Sequence, residues 1–182
     1  MISSKYLNGF LCDLLSGGWE LGLHPSALTW KQSPEIIEQR QKLEAITSKP
    51  VTKVRQHWLR FSWEKTWPAQ EAAGLRLDST LGFNDRPGFR NSAALRMKVC
   101  SNLNSESGLE SVPMFLMDSH LYDYSNLSSQ DRKDTMRRWL GELKHVGGEG
   151  SIIWHTQVLG KDYDWGEGYE TLLKCWNEVN IE

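Results

Sequence analysis

What this sequence lacks narrows its function first. No stretch approaches the ~18 consecutive apolar residues of a membrane-spanning helix, and the N-terminus has neither the basic start nor the apolar run of a secretory signal. The chain therefore reads as cytoplasmic, with no membrane span. Charge of one sign is also missing: 21 Lys and Arg stand against 23 Asp and Glu, for a net charge of -2. Without a basic face there is no footprint for nucleic acid or anionic lipid. Only three cysteines occur, Cys12, Cys100 and Cys175, and none has C-x-x-C spacing, so neither a zinc knuckle nor a disulfide framework is suggested and three buried thiols are expected. There is no G-x-S-x-G elbow, phosphate-binding loop, G-x-G-x-x-G or H-E-x-x-H, which removes the best sequence support for serine-hydrolase, nucleotide-binding and zincin chemistry.

What is present is an alternation of helical and strand patterns along 182 residues, a length expected to form a single domain, 1–182. Apolar spacing predicts helices over Tyr6–Ser16, from Ser33 to about Ser48 with Ser33 as N-cap, over Thr66–Ala73, over Ser128–His145 with Ser128 as N-cap, and over Gly166–Val179. Short apolar runs predict strands at Trp19–Leu23, Val51–Val54, Leu75–Asp78, Leu95–Cys100, Val112–Leu121 and Ile152–Trp154. The polar stretch Ser101–Ser111 reads as an exposed loop. Alternation of this kind predicts an α/β fold with a mostly parallel sheet, open or curved into a barrel.

In parallel α/β folds, ligands bind where the strands end. The residues that follow the predicted strands are His24, Arg55 with His57, Asp78, Asp118 with His120, and His155. Four of the five histidines are thus expected at one edge, lining one cleft. Histidine and carboxylate in that position suit a divalent metal that activates water, with a protonated imidazole assisting the leaving group. The stretch from Arg55 to Asn91 carries much of this chemistry and ends in a Gly-, Pro- and Arg-rich loop that includes Arg90. Nine tryptophans add flat apolar faces suited to cores or to stacking on sugar rings; Trp58, Trp63, Trp154 and Trp165 are candidates.

In sequence order, these segments resemble the NodB-homology polysaccharide deacetylases, in particular their divergent branch associated with surface polysaccharides. Glu20-Leu21-Gly22-Leu23-His24-Pro25-Ser26 resembles the family's histidine motif, Arg55-Gln56-His57 the divergent arginine motif, Asp78-Ser79-Thr80-Leu81-Gly82-Phe83 the segment whose Asp orients that Arg, and Ile152-Ile153-Trp154-His155 the final motif. The resemblance implies a distorted or incomplete (β/α) barrel with parallel strands. It implies His155, Arg55 and Asp78 as catalytic residues, with His155 the general acid, and Trp58, Arg90 and Trp154 as substrate contacts. It also implies His24 and His57 as ligands of a divalent metal, zinc foremost.

Two departures accompany it. The family's first Asp motif has no counterpart upstream of Tyr6, so an N-terminal strand is expected to be missing, with a second copy of the chain as one way to cover the exposed sheet edge. Leu28 stands where a second histidine or asparagine ligand is expected. The implied function is removal of an acyl group from an N-acetylated sugar in surface-polysaccharide metabolism. The alternative is a catalytically weak or inactive carbohydrate-binding relative.

Overall fold

The computed structural model describes residues 4–99 and 108–181. The chain separates into two compact units, the first formed by Met1–Thr80 with Lys98–Ser111 and the second by Leu81–Met97 with Val112–Glu182.

The first unit contains α1 (Ser4–Ser16), α2 (Ser33–Thr47), β1 (Lys53–Val54), α3 (Thr66–Ala72), β2 (Leu77–Asp78) and β4 (Glu110–Ser111); β3 (Met97–Lys98) lies at its boundary. These strands form one sheet in the order β1-β2-β4-β3, with β1, β2 and β4 parallel. Its core joins Leu23, Ile36, Val51, Val54, Ala69, Ala73 and Leu75, so one stripe of α2 and one of α3 cover the sheet. Gly74 ends α3 at φ 74°, a left-handed conformation that glycine adopts without a Cβ penalty.

The second unit contains β5 (Met114–Met117), α4 (Asp118–Tyr122), α5 (Ser129–His145), β6 (Ser151–Ile153) and α6 (Gly166–Ile181). All four residues of β5 are buried, as expected for a parallel strand covered on both faces, and it pairs in parallel with β6. The core gathers Phe115 and Leu116 from β5, Met136, Leu140 and Leu143 from α5, and Leu172 and Cys175 from α6. Ser128 caps α5 reciprocally: its hydroxyl accepts the Asp131 N–H at 3.2 Å, and the Asp131 carboxylate accepts the Ser128 N–H at 3.2 Å. Lys144 and His145 occupy the last turn of α5, the negative end of the helix dipole.

Helices and a parallel-dominated sheet agree with the α/β expectation. The described residues contain no closed sheet, so the barrel does not follow. Other departures are local. The run Trp19–Leu23 is not a buried strand: Trp19 is 63% exposed, and Leu23 alone bridges Val54. The N-cap of α2 is Gln32 and not Ser33, and it makes no side-chain cap bond. Glu110–Ser111, expected in an exposed loop, is an inner strand with Ser111 buried, because Leu109 and Val112 on either side pull it into the core. The predicted strand Val112–Leu121 stops at Met117, where α4 begins. The strand at Leu95–Cys100 shortens to Met97–Lys98; Cys100 and most of the predicted loop lie outside the described residues. Cys175 is buried, but Cys12 is exposed on α1. No described helix is long and apolar enough to cross a membrane.

Candidate active site

In the first unit, a parallel bridge builds the histidine corner. The Leu23 N–H donates to the Lys53 carbonyl at 2.8 Å and the Arg55 N–H to the Leu23 carbonyl at 3.0 Å, which sets His24 beside Arg55. His24 Nδ1 then meets the Arg55 carbonyl oxygen at 2.8 Å. A carbonyl only accepts, so Nδ1 carries the proton and, in the neutral ring, the lone pair lies on Nε2, as in metal-binding imidazoles. His57 stacks on His24 with ring centroids 4.9 Å apart, and Trp58 meets His57 edge-on at 5.1 Å. Trp58 is 65% exposed, with the Arg60 guanidinium 5.2 Å from its ring centre. Its backbone is left-handed at φ 56°, as is that of Leu59 at φ 49°, a costly conformation for side chains of this size.

Asp78 follows from the end of β2 and is completely buried. Its carboxylate accepts from Trp67 Nε1 at 3.0 Å, Gln70 Nε2 at 3.0 Å, the Thr80 N–H at 3.2 Å and the Thr80 hydroxyl. Burial raises its pKa, and these donors oppose the rise without cancelling it. The Thr80 hydroxyl in turn accepts the Gln56 N–H at 2.9 Å, tying Asp78 to the Arg55-Gln56-His57 triplet. Arg55 donates from Nε to the Ser79 carbonyl at 3.1 Å; burial lowers its pKa and the Asp78 charge pushes it back up. Asp78 thus positions the triplet through Thr80 and through its charge.

The second unit holds a carboxylate–imidazole pair. The register Met117↔Ile153 aligns the ends of two parallel strands, so Asp118 and His155 emerge side by side. The Asp118 carboxylate accepts the His155 backbone N–H at 2.6 Å and meets His155 Nδ1 at 2.9 and 3.0 Å. The Ser119 N–H adds a bond at 2.7 Å. Burial works to raise the Asp118 pKa, but the bonds and charge of His155 and the Ser119 amide outweigh it, and the carboxyl is held below its ordinary value of 3.8. Asp118 is buried while His155 remains 39% exposed, so the pair has one anchored partner and one accessible one.

His120 has a different task. Its Nδ1 accepts the Met117 N–H at 3.1 Å and its Nε2 meets the Phe83 carbonyl at 3.0 Å, which fixes a neutral tautomer; burial lowers its pKa. It fastens the segment at Phe83 to the start of α4. Trp154 packs against Tyr122 and Tyr169, with centroids at 6.3 and 5.7 Å, and borders the core. Arg90 is exposed and reaches the Gly82 carbonyl at 3.4 Å.

The structure thus brings His24, Arg55, His57, Trp58 and Asp78 into one network within the first unit, and His155 with Asp118 within the second. The orienting role of Asp118 was visible only as one of several acids at strand ends. A metal centre needs about three or four ligands in fixed geometry. Among the described residues no cluster of three or more His, Cys, Asp or Glu is placed to hold one. His24 and His57 offer two imidazoles, and Leu28, 72% exposed, adds no donor. The donor set does not complete a closed zinc site.

No protein-family model and no curated protein matches the chain by sequence. Among solved structures, the fold is similar to a crystal structure from Mycobacterium smegmatis described as a "putative polysaccharide deacetylase", with a TM-score of 0.56 and 17% identity. That similarity covers 80% of this chain and 52% of the other, so the chain spans about half the length of its structural neighbour. At this level of identity, what the two chains share is a deacetylase-like α/β fold.

Proposed function

We propose that this chain is a polysaccharide-deacetylase-like hydrolase that removes acetyl from an N-acetylated sugar in surface-polysaccharide metabolism. The observation that carries the reading is the Asp118–His155 pair at the ends of adjacent parallel strands. Asp118 takes the Nδ1 side of the ring, so the proton exchanged with substrate is the one on Nε2. In the reaction, a water oxygen bonds to the acetyl carbon as one of its protons passes to His155. The carbon–nitrogen bond then breaks as His155 returns a proton to the departing amine, leaving acetate and a free amino sugar. General acid–base assistance of this kind is typically worth ~100- to 10,000-fold in rate. The carboxylate of Asp118 stabilises the imidazolium that forms between the two steps. Within the first unit, Trp58 offers a flat exposed face to a sugar ring; within the second, exposed Arg90 offers a polar contact.

His24 and His57 are the pair that would hold a divalent ion, zinc foremost, which supplies water activation when bound. Because two imidazoles fall short of a full ligand set, no step above is assigned to it. The same shortfall, with Leu28 in place of a donor, favours the second reading, a catalytically weak carbohydrate-binding relative.

Acetate release from N-acetylglucosamine oligosaccharides, measured with and without added zinc, separates the two. The hydrolase reading expects release by the wild-type chain and its loss in His155→Ala with the melting temperature preserved. Saccharide binding without any release from the wild type rejects the hydrolase and leaves the binding relative.

A further inference from the structure

A groove of about 640 Å³ opens in the second unit between α5 and the segment 89–95. Cavities of ~300–1,000 Å³ are those that enclose small ligands. Packing and backbone bonds set its walls. Phe89 stacks on Phe115 at 5.3 Å and meets Trp139 at 5.9 Å, which fixes two of the rings that line it. The Ala94 carbonyl accepts the Glu149 N–H at 2.8 Å, and a Cβ added at Gly148 would run into that same oxygen, so the chain after α5 closes tightly on Ala94. Glu149 lies two residues ahead of β6, whereas His155 lies two residues past its end. The groove and the Asp118–His155 pair therefore sit toward opposite ends of that strand.

Leu95 and Val146 line the groove and are 55% and 56% exposed, so it leaves apolar surface uncovered. Its charges are unusual. Two nearby arginines are paired: Arg96 donates to Glu149 at 2.9 and 2.5 Å, and Arg137 to Glu178 at 2.9 and 2.6 Å. Arg138 and Glu142, which line the groove four positions apart on α5, form no ion pair with each other or with any other described residue. The spacing itself would permit one, since side chains at i and i+4 are neighbours on a helix. The Arg138 guanidinium lies instead 5.5 Å from the Trp139 ring centre. Ser92, left-handed at φ 57°, adds a hydroxyl with no hydrogen-bond partner among the described residues.

A ligand of negative charge alone would be repelled by Glu142, and one of positive charge alone by Arg138. A ligand with one charge of each sign on an apolar body satisfies both. The two side chains leave α5 one helical turn apart, ~6 Å along the axis. At ~3.5 Å per residue, the charged ends of a single amino acid fall short of that separation, and those of a dipeptide reach it. We infer that the groove binds a short apolar peptide with free ends, its carboxylate on Arg138 and its ammonium on Glu142. Its side chains lie against Phe89, Leu95, Trp139 and Val146, whose apolar surface they cover. A guanidinium takes a carboxylate through paired N–H donors, and the Glu142 carboxylate accepts from the ammonium. The site stands apart from the hydrolase reading and uses none of its residues.

An NMR titration of the full chain with leucyl-phenylalanine, its N-acetyl form, its C-terminal amide and the doubly blocked form tests it. The free dipeptide is expected to bind with a Kd below about 10 mM, and blocking either end should weaken it about twofold to fivefold, the size of an exposed ion pair. Glu142→Gln should make the protein indifferent to acetylation while it still discriminates against the amide, and Arg138→Gln should do the reverse. Both replacements fall at exposed positions of α5, so the melting temperature should not change. Absence of saturable binding up to about 10 mM overturns the inference. So does a charge preference that survives the matching replacement, or free leucine binding as tightly as the dipeptide. Equal or tighter binding of the doubly blocked form also overturns it, and would make the groove a seat for an internal segment of another protein.

Discussion

Asp118 holds His155 twice, by the backbone N–H at 2.6 Å and by the ring Nδ1 at 2.9 Å, so one buried carboxylate fixes both the position and the rotation of the imidazole. Asp118→Asn keeps the shape but presents an amide that can accept only through its oxygen. Acetate release is expected to fall by ~100-fold or more. The pH dependence of stability carries a second signature. The folded pKa of Asp118 lies below its unfolded value near 3.8, so the stabilisation is present above that value and is lost as pH falls through the folded pKa. The Asn variant should lose that part of the acid transition, and melting curves from pH 7 to pH 2 check it; an acid limb identical to wild type would show that the pair contributes nothing to folding.

Asp78 is expected to matter for stability before activity. Replacement by Ala leaves Trp67 Nε1, Gln70 Nε2 and the Thr80 N–H buried without their acceptor. Orphaned buried donors cost about 1–3 kcal/mol each, less whatever relaxation or entering water recovers. A loss of about 3 kcal/mol by urea unfolding is the expected result, and a loss under about 1 kcal/mol would mean that the network is replaced by solvent.

Trp58 sits in the opposite position. It is exposed and left-handed, so it gains little from packing and pays in backbone strain. Asn tolerates this conformation better than Trp. Trp58→Asn should leave the melting temperature unchanged or raise it, while weakening oligosaccharide binding. A variant that loses stability and binds as before would make Trp58 structural.

Two glycines give contrasting outcomes for one substitution. A Cβ at Gly82 would meet the Met114 carbonyl oxygen at 2.7 Å, a backbone atom that cannot swing aside. Gly82→Ala is expected to cost at least ~1–3 kcal/mol through overpacking. Gly141 lies inside α5 with nothing within 4 Å of an added Cβ, so Gly141→Ala should stabilise by about 0.5–1 kcal/mol. Thermal unfolding of both variants checks the pair.

The five longer helices were legible because their signals are local, whereas the short α4, Asp118–Tyr122, fell inside a predicted strand. Ser128 with Asp131 three residues later marks the start of α5 from sequence alone, and the structure closes both bonds. The strands were not, since every described one holds only two to four residues, and too few residues alternate to register a period. Glu110–Ser111 has polar residues at both positions, and only its neighbours β2 and β3 make it a strand. At the site, His24, Arg55, Asp78 and His155 could each be picked out as a polar residue following an apolar run. Which acid serves which base could not, because the Asp118–His155 contact spans 37 positions and depends on the register of β5 against β6. His120 looks like the other histidines in sequence. Its different role is decided by two backbone groups, on Met117 and Phe83, that the sequence does not distinguish.

The placement of β4 between β2 and β3 has a consequence for how the chain is made. The first unit takes residues up to Thr80 and then Lys98–Ser111, while Leu81–Met97 belongs to the second. As the chain leaves the ribosome, β1 and β2 can pair early, but the far edge of β2 waits for Glu110–Ser111. Through that interval the row of backbone groups at Leu77 and Asp78 is open to any passing strand. Neither unit can be cut out as one continuous piece. A protein shortened after Thr80 would keep its histidine corner and lose the strand that seals it, so the fragment's weakness would be association with itself, not loss of helix.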